Sequence, residues 1–299
     1  MWVWAAVLSA FLLGIYEVEK KQASAVNGVL HVLLYATAIG ALFFLPLILS
    51  SIFGWGLGDG TVLEMQRGSL TDHLIIIGKS FIVTVSWILG LFALKNLPIT
   101  TAGPIKATRP VFILLGSILI FGERLNAWQW TGVVISIVAL YLLSVSSKSE
   151  GVDFAHNKWV FCMFGSVAAG VVSALIDKAI MTWMSPIFVQ SWCNFYIAVM
   201  MAVIVLVCRM TGNKLYEEFH WDWTIVWIAV FLTVSDFLYF YSLTDKNAMI
   251  SVVSLLRRCS VIVTFVAGAI FFKEGNLKSK ALILLLLLVG AAILVFGSR

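Results

Sequence analysis

Residues 28–52 read GVLHVLLYATAIGALFFLPLILSSI and contain no Asp, Glu, Lys or Arg. This stretch predicts a transmembrane helix, because about 20 apolar residues cross a hydrocarbon core roughly 30 Å thick. Similar stretches recur along the chain of 299 residues, of which 61% are hydrophobic and 12% charged, with a mean hydropathy of +1.02. Soluble domains carry roughly 25% charged residues, so this composition excludes a water-soluble fold.

Glycines, prolines and charged residues divide the apolar sequence into ten predicted helices. They cover residues 2–24, 28–52, 73–95, 100–121, 127–146, 157–182, 187–209, 222–244, 249–272 and 278–297. The two longest connections follow the second and the seventh helix. We therefore predict an all-α integral membrane protein with ten transmembrane helices and little mass outside the bilayer.

The same charges recur in the two halves of the chain. Glu123 begins the connection to the last helix of the first half, and Glu274 does so in the second half. Aligning these two glutamates places Lys106 on Arg257. The recurrence predicts two related five-helix repeats.

Each predicted repeat has an odd number of spans, so the second repeat enters the membrane in the opposite sense. Inverted repeats of this kind are typical of secondary transporters that work by alternating access. We predict the first repeat at residues 1–149, a linker at 150–155 and the second repeat at 156–299.

Several short motifs in the first half resemble the drug/metabolite transporter superfamily, specifically its ten-helix EamA-like members. They are FALKNLP at 92–98, RP at 109–110, GERL at 122–125 and WTG at 130–132. The second half fits less closely, since Val261 stands at the aligned proline position. The resemblance implies a multi-pass transporter of a bacterial cytoplasmic membrane. It does not define the substrate, because the family carries amino acids, drugs, nucleotide sugars and sugar phosphates.

Charged side chains lie inside several predicted helices, and each is a functional candidate because a charge near the bilayer centre is costly. The bases are Lys20, Lys21, Lys79, Lys106, Arg109, Lys178, Arg257 and Arg258, and the acids are Glu17, Glu19, Asp177 and Asp236. Because bases outnumber acids, we predict an electropositive cavity. Guanidinium groups bind phosphate or carboxylate through paired donors.

We predict substrate binding by these bases, with Lys79 left out. In the phosphate-translocating branch of the superfamily, a lysine on helix 4, a basic pair on helix 9 and a helix 8 tyrosine hold the phosphate. The similar positions here are Lys106, Arg257, Arg258 and either Tyr239 or Tyr241. This resemblance favours an anionic or phosphorylated metabolite as substrate.

Internal ion pairs give the alternative, in which the bases of the fourth and ninth helices pair with Glu17, Asp177 or Asp236 and only hold the bundle together. Glu17 and Lys21 are four residues apart with the acid first, the orientation that favours pairing on a helix. If such pairs neutralise the bases, the substrate is a neutral or zwitterionic metabolite such as an amino acid.

Glu17, Asp177 and Asp236 are candidates for proton coupling. We expect Asp177 and Asp236 to lack partners in the bundle, where loss of hydration favours a protonated carboxyl group. Exchange against a counter-substrate, without protons, is the alternative.

Motifs for other chemistry are absent from the sequence. It has no phosphate-binding Gly-Lys-Ser/Thr loop, no His-Glu-x-x-His and no Gly-x-Ser-x-Gly. We expect no cofactor and no metal. No basic tail is available for nucleic acid.

The rival class is a membrane enzyme acting on a lipid-linked phosphate, which would use the same buried bases. Charges in corresponding helices of inverted halves favour a transporter. The oligomeric state stays open.

The membrane orientation rests on two opposing indications. Eight Lys and Arg residues flank the helix connections on one side and four flank those on the other, which would put both termini outside. The resemblance implies that both termini are inside. We follow the resemblance, because lysines at helix ends can extend toward the headgroups.

Overall fold

A computed structural model gives the fold of most of the chain. It describes residues 2–58, 60–61, 63–65, 67–109, 111–113, 116, 126–148, 154, 156–180, 183–213, 215–217, 219–244, 257, 259–272 and 277–296. Within those ranges the chain forms ten α-helices. They are α1 (Trp2–Val26), α2 (Val29–Phe53), α3 (Leu70–Asn96), α4 (Ile99–Ala107), α5 (Ala127–Lys148), α6 (Lys158–Ile180), α7 (Pro186–Met210), α8 (Thr224–Thr244), α9 (Ser260–Ile270) and α10 (Leu277–Phe296).

Length and apolar composition allow several of these helices to cross a membrane. Among the described residues, α2, α3, α7 and the Lys158–Asp177 part of α6 are each long and apolar enough to do so. Shorter apolar stretches are Trp130–Leu143, Thr224–Tyr239 and Ser260–Ile270. Large apolar side chains such as Phe11, Phe81 and Leu206 are exposed on the outside of the bundle, as a surface in contact with lipid requires.

Two helices differ from the predicted bounds, and a local signal explains the difference for α3. α1 continues through Glu17 and Lys21 to Val26. α3 begins at Leu70 rather than at residue 73, because Ser69 and Asp72 form a capping box. The Asp72 carboxylate accepts the Ser69 N–H at 2.8 Å, and the Ser69 hydroxyl accepts the Asp72 N–H. This exchange satisfies backbone donors that the first helical turn leaves unpaired.

Two helices are interrupted where the aligned halves correspond. α4 ends at Ala107, and the Thr108 N–H bonds to the Ile105 carbonyl three residues back at 3.2 Å, which tightens the last turn. α9 begins at Ser260, directly after a turn at Cys259. Thr108 and Cys259 each lie fifteen residues before the aligned glutamate. Residues 109, 111–113 and 116 after the first turn and residue 257 before the second are helical too, so the predicted helices at 100–121 and 249–272 are interrupted within the described residues. Residues 117–125 and 245–256 lie outside that part.

Helices of one half pack mainly on helices of the other. α1 packs along α8, and α3 packs along α6. α2 packs on α7, α4 on α9, and α5 on α10. The hydrophobic core lies between the two halves, with fully buried residues such as Leu30, Ile76, Met163 and Ile197.

Two reciprocal serine pairs fix the long interfaces. The Ser9 hydroxyl donates to the Ser235 carbonyl at 2.7 Å, and the Ser235 hydroxyl donates to the Ser9 carbonyl at 2.9 Å. Ser86 and Ser166 do the same between α3 and α6, at 2.8 and 2.7 Å. Small side chains that bond across helices permit close approach in lipid, where no hydrophobic force draws helices together.

Gly14 provides a test of this close packing. A β-carbon there would collide with the Val263 side chain and lie 2.9 Å from the Ser260 carbonyl oxygen. We expect Gly14→Ala to push α1 from α9 and to destabilise the protein by about 1–3 kcal/mol, the usual cost of overpacking. The melting temperature of the purified protein in detergent measures this. Gly78→Ala on α3 is the control, since nothing lies within 4 Å of its β-carbon, and an equal loss in both variants would contradict the prediction.

Candidate functional site

A cavity lies between α1, α2, α3, α7 and α8. Apolar side chains including Leu33, Trp87 and Ile228 form much of its wall. Its polar lining consists of Tyr16, Lys20, Thr37, Gln190, Asn194, Thr233 and Asp236. The cavity thus combines apolar surface with a few polar groups, as small-molecule sites commonly do.

A first ion-pair group joins α1 to the end of α4. The Lys106 ammonium donates to the Glu17 carboxylate at 2.6 Å, and the Lys20 ammonium lies 3.8 Å from the other Glu17 oxygen. Lys20 is only 5% exposed and lies 4.6 Å from the centre of the Tyr16 ring. One carboxylate is therefore shared between two cations beside the cavity.

A second ion-pair group joins α8 to Arg257, two residues before the turn at Cys259. Arg257 donates to the Asp236 carboxylate, whose other oxygen lies 3.5 Å from the Gln190 amide nitrogen. The Arg257 guanidinium lies over the Tyr239 ring, 4.4 Å from its centre, in cation–π geometry. Asp236 lines the cavity, so this group reaches the cavity through its carboxylate.

Arg109 connects this second group with a third. Its guanidinium donates to the Gly170 carbonyl on α6 and interacts electrostatically with Asp177 and Arg257. A β-carbon at Gly170 would lie 2.8 Å from the guanidinium carbon, so glycine leaves room for the arginine. Arg109 therefore lies between the two halves.

The third group is buried between α3, α6 and α7. The Lys79 ammonium lies 3.2 Å from the Asp177 carboxylate and 3.7 Å from the Cys193 sulfur, and the Ser80 hydroxyl lies 3.3 Å from the same sulfur. Lys79 is 8% exposed. We call Lys79, Asp177, Cys193 and Ser80 the Lys79 cluster.

The carboxylate partners differ from those that we expect. Glu17 pairs with Lys106 and Lys20, and Lys21 instead donates to the Leu97 carbonyl at 2.6 Å. The expectation that Asp177 and Asp236 lack partners is wrong, because Lys79 and Arg257 lie against them. Helix packing brings each acid to a base that is distant in sequence.

The predicted site residues fall into three classes in the structure. Glu17, Lys20, Lys106, Asp236, Arg257 and Tyr239 lie together beside the cavity, and Arg109 and Asp177 lie next to them. Lys21 lies against Leu97 and the Phe272 ring, toward the end of α1. Arg258 and the side chains of Tyr241 and Lys178 lie outside the described residues.

Sequence reasoning missed several residues of this region. Lys79 could have been included, since a lysine inside an apolar helix is a functional candidate by itself. Gln190, Asn194, Thr37 and Trp87 gave no such signal, because uncharged side chains of these types are common in membrane helices. Their position in the cavity follows from the packing of α2, α3 and α7.

Comparison with known proteins shows which family the first half of the chain resembles. Residues 1–145 match the model of the EamA-like transporter family. A protein of Archaeoglobus fulgidus described as an uncharacterized transporter is 28% identical over 144 residues, which are 48% of this chain and 47% of that protein. The chain thus spans about half the length of this curated relative.

A protein of known crystal structure shares the fold. It superposes with a TM-score of 0.60 over 97% of this chain and 93% of that one, at 19% sequence identity. The family match and the apolar helices show a multi-pass integral membrane protein. Over residues 1–145, slightly less than half of the chain, the sequence is similar to that of the EamA-like transporter family, which is part of the drug/metabolite transporter superfamily.

Proposed function

We propose that this protein is a secondary transporter that moves a small organic anion, such as a phosphorylated metabolite, across a bacterial cytoplasmic membrane by alternating access. One observation carries the proposal. Lys106 and Arg257 occupy aligned positions, each two residues before the turn that interrupts its helix, and each holds a carboxylate beside one cavity. Interrupted helices in corresponding positions of two halves are the best indication of a transporter binding site.

The pattern of helix packing supports the inverted repeat at 1–149 and 156–299. If each helix is replaced by the helix five places later, with the count continuing from α10 to α1, the α1–α8 contact becomes the α6–α3 contact. The α2–α7, α4–α9 and α5–α10 contacts map onto themselves, and the two serine pairs map onto each other. A pseudo-two-fold axis in the membrane plane accounts for this pattern.

The charges beside the cavity favour an anion. Four bases, Lys20, Lys106, Arg109 and Arg257, meet two acids, Glu17 and Asp236. An entering anion would compete with Glu17 for Lys106 and with Asp236 for Arg257. Glu17 and Asp236 then act as internal counter-ions while the cavity is empty.

This competition also supplies a route for proton coupling. A carboxylate that loses its cation in a poorly hydrated site is unfavourable as an anion, so it takes up a proton. Glu17 and Asp236 would therefore bind protons as the solute binds. Exchange of two anions needs no protons and remains the alternative mode.

A zwitterionic solute is the second candidate, favoured by one observation. Lys20 and Asp236 both line the cavity, so a single solute could meet a cation and a carboxylate. An amino acid would satisfy both. The anion is preferred because Asp236 already has Arg257 against it.

A thermal-shift screen tests the proposal. Purified protein is heated with phosphorylated metabolites, organic acids, amino acids and cationic drugs, since a ligand at 100 times its dissociation constant adds about 2.7 kcal/mol of stability. We expect stabilisation by anions, followed by uptake of the stabilising anion into proteoliposomes. Stabilisation by amino acids or cations alone would contradict the anion. Chemical conversion of a lipid-linked phosphate without uptake would favour the membrane enzyme.

A further inference from the structure

The serine pairs relate the two halves residue by residue. Ser9 on α1 corresponds to Ser166 on α6, and Ser235 on α8 corresponds to Ser86 on α3, because the two reciprocal pairs exchange. Any residue of α1 or α8 can then be located in the other half by counting from its serine.

Counting from these serines relates the cavity wall to the Lys79 cluster. Lys20 and Asp177 each lie eleven residues after their serine. On α8, Ile228 and Ala229 line the cavity, and the residues at the same distance from the serine on α3 are Lys79 and Ser80. The Lys79 cluster is thus the counterpart of the cavity in the other half.

The cavity and its counterpart lie toward opposite ends of the bundle. The cavity is lined by residues near the end of α1 and the beginnings of α2 and α8. The Lys79 cluster lies near the end of α6 and in the third turns of α3 and α7, where Gln190 and Asn194 of the cavity flank Cys193. With five spans between α1 and α6, these ends face opposite sides of the membrane.

The counterpart is closed in this structure. Ser80 and Thr84 on α3 are 0% and 1% exposed, and Cys193 is buried against Lys79 and Ser80. The Asp177 side chain is 36% exposed and that of Lys79 only 9%, so the ion pair lies at the edge of the packed interior. Lys79 and Asp177 therefore hold α3 to α6 at this edge.

We propose that the Lys79 cluster is a second, closed access cavity for an anionic solute, with the Lys79–Asp177 ion pair as its gate. The cavity between α1, α2, α3, α7 and α8 is called the first cavity. The second cavity opens when the first cavity closes, and it then exposes Lys79 and Cys193. Lys79 is the cation that an anion meets from that side of the membrane. The inference rests on the alternating access of the proposed function.

A substitution at Gly40 distinguishes the alternate opening of the two cavities from local loosening of the Lys79 cluster. It lines the first cavity and is buried, yet nothing lies within 4 Å of its β-carbon. A leucine there would fill the cavity and prevent its closure. If the two cavities alternate, a filled first cavity keeps the Lys79 cluster closed.

Alkylation of Cys193 by a charged maleimide measures opening. Cys162, Cys208 and Cys259 are replaced by alanine, and the labelling rate is measured in nanodiscs, where both faces are accessible. We expect Lys79→Ala to raise the Cys193 labelling rate by about tenfold or more, and Gly40→Leu to abolish that rise in the double variant. Lys95→Ala, which breaks the 2.8 Å ion pair with Glu217 at the end of α3, is the control and should leave the rate unchanged.

Two outcomes would overturn the gate. In the first, Cys193 is labelled no faster in Lys79→Ala than in the unaltered protein. In the second, it is labelled faster, but adding Gly40→Leu does not slow the labelling, which indicates local loosening. Size-exclusion profiles exclude misfolded variants from the comparison. Uptake of inorganic phosphate and phosphate esters is measured with the protein that retains only Cys193. If phosphate or its esters are taken up but either of these two labelling results is found, the gate is wrong and the proposed solute stands. If the labelling is as expected but no uptake is found, the gate stands and the proposed solute is wrong.

Discussion

Arg257→Ala and Lys106→Ala are each expected to weaken binding of the transported anion by about 30-fold or more. Removing one partner of a desolvated, charge-assisted contact typically costs about 2–5 kcal/mol, and each 1.4 kcal/mol is tenfold in affinity. Arg257 is the more sensitive position, because its guanidinium is held by both Asp236 and the Tyr239 ring and is therefore preorganised. Isothermal titration with the anion that emerges from the thermal-shift screen measures the change.

Matched variants separate a role in binding from a role in folding. Arg257→Lys and Lys106→Arg keep the charge and should retain most of the affinity, although lysine loses the paired donors of arginine. Lys95→Ala removes a lysine ion pair outside the cavity and should leave the affinity unchanged. Equal losses in Lys95→Ala and Arg257→Ala would show that the effect is general, and the binding role would be wrong.

The aligned position of Lys106 and Arg257 could be predicted from the sequence, but their partners could not. Two glutamates at equal distances define the alignment and need no structure. The choice of Glu17 for Lys106 depends instead on how α1 lies against α4, since Lys20 and Lys21 are nearer in sequence and have the same charge. Pairing within one helix is worth only a few tenths of a kcal/mol, so tertiary packing decides it.

The helix interruptions show a similar division. Pro110 follows the turn at Thr108 in the sequence, and its missing N–H predicts a break in the first half. Val261 stands at the aligned position of the second half, and its sequence predicts an unbroken helix. The turn at Cys259 precedes Val261 without any such signal, so only the structure shows that both halves are interrupted at aligned positions.

Helix bounds were the easiest feature to predict, because membrane thickness limits the length of each apolar stretch. The polar residues of the cavity were the hardest. Gln190 and Asn194 lie on α7 one turn apart, and their neighbour Cys193 faces Lys79 instead. Which face of α7 meets the cavity depends on its contacts with α2 and α3, which no single helix encodes.

Glu17→Gln combined with Asp236→Asn is expected to abolish proton-driven accumulation of the solute while exchange of solute for solute continues. An inward gradient of one pH unit supplies about 1.4 kcal/mol per proton, enough for about tenfold accumulation if one proton accompanies each solute. The amides keep the size of the carboxyl groups but cannot bind a proton, so the accumulation ratio should fall to about one. Lys106 and Arg257 also lose their internal counter-ions, so anion affinity should rise rather than fall.

Proteoliposomes with an imposed pH gradient measure accumulation, and preloading them with unlabelled solute measures exchange. Asp177→Asn is the informative comparison, because Asp177 pairs with Lys79 away from the first cavity. We expect it to alter exchange rates by weakening the gate while leaving the accumulation ratio near that of the unaltered protein. Accumulation that persists in the double variant but disappears in Asp177→Asn would move the proton site from the cavity to the Lys79 cluster. Accumulation that persists in both would leave neither group as the coupling site, and exchange of anions would then be the mode of transport.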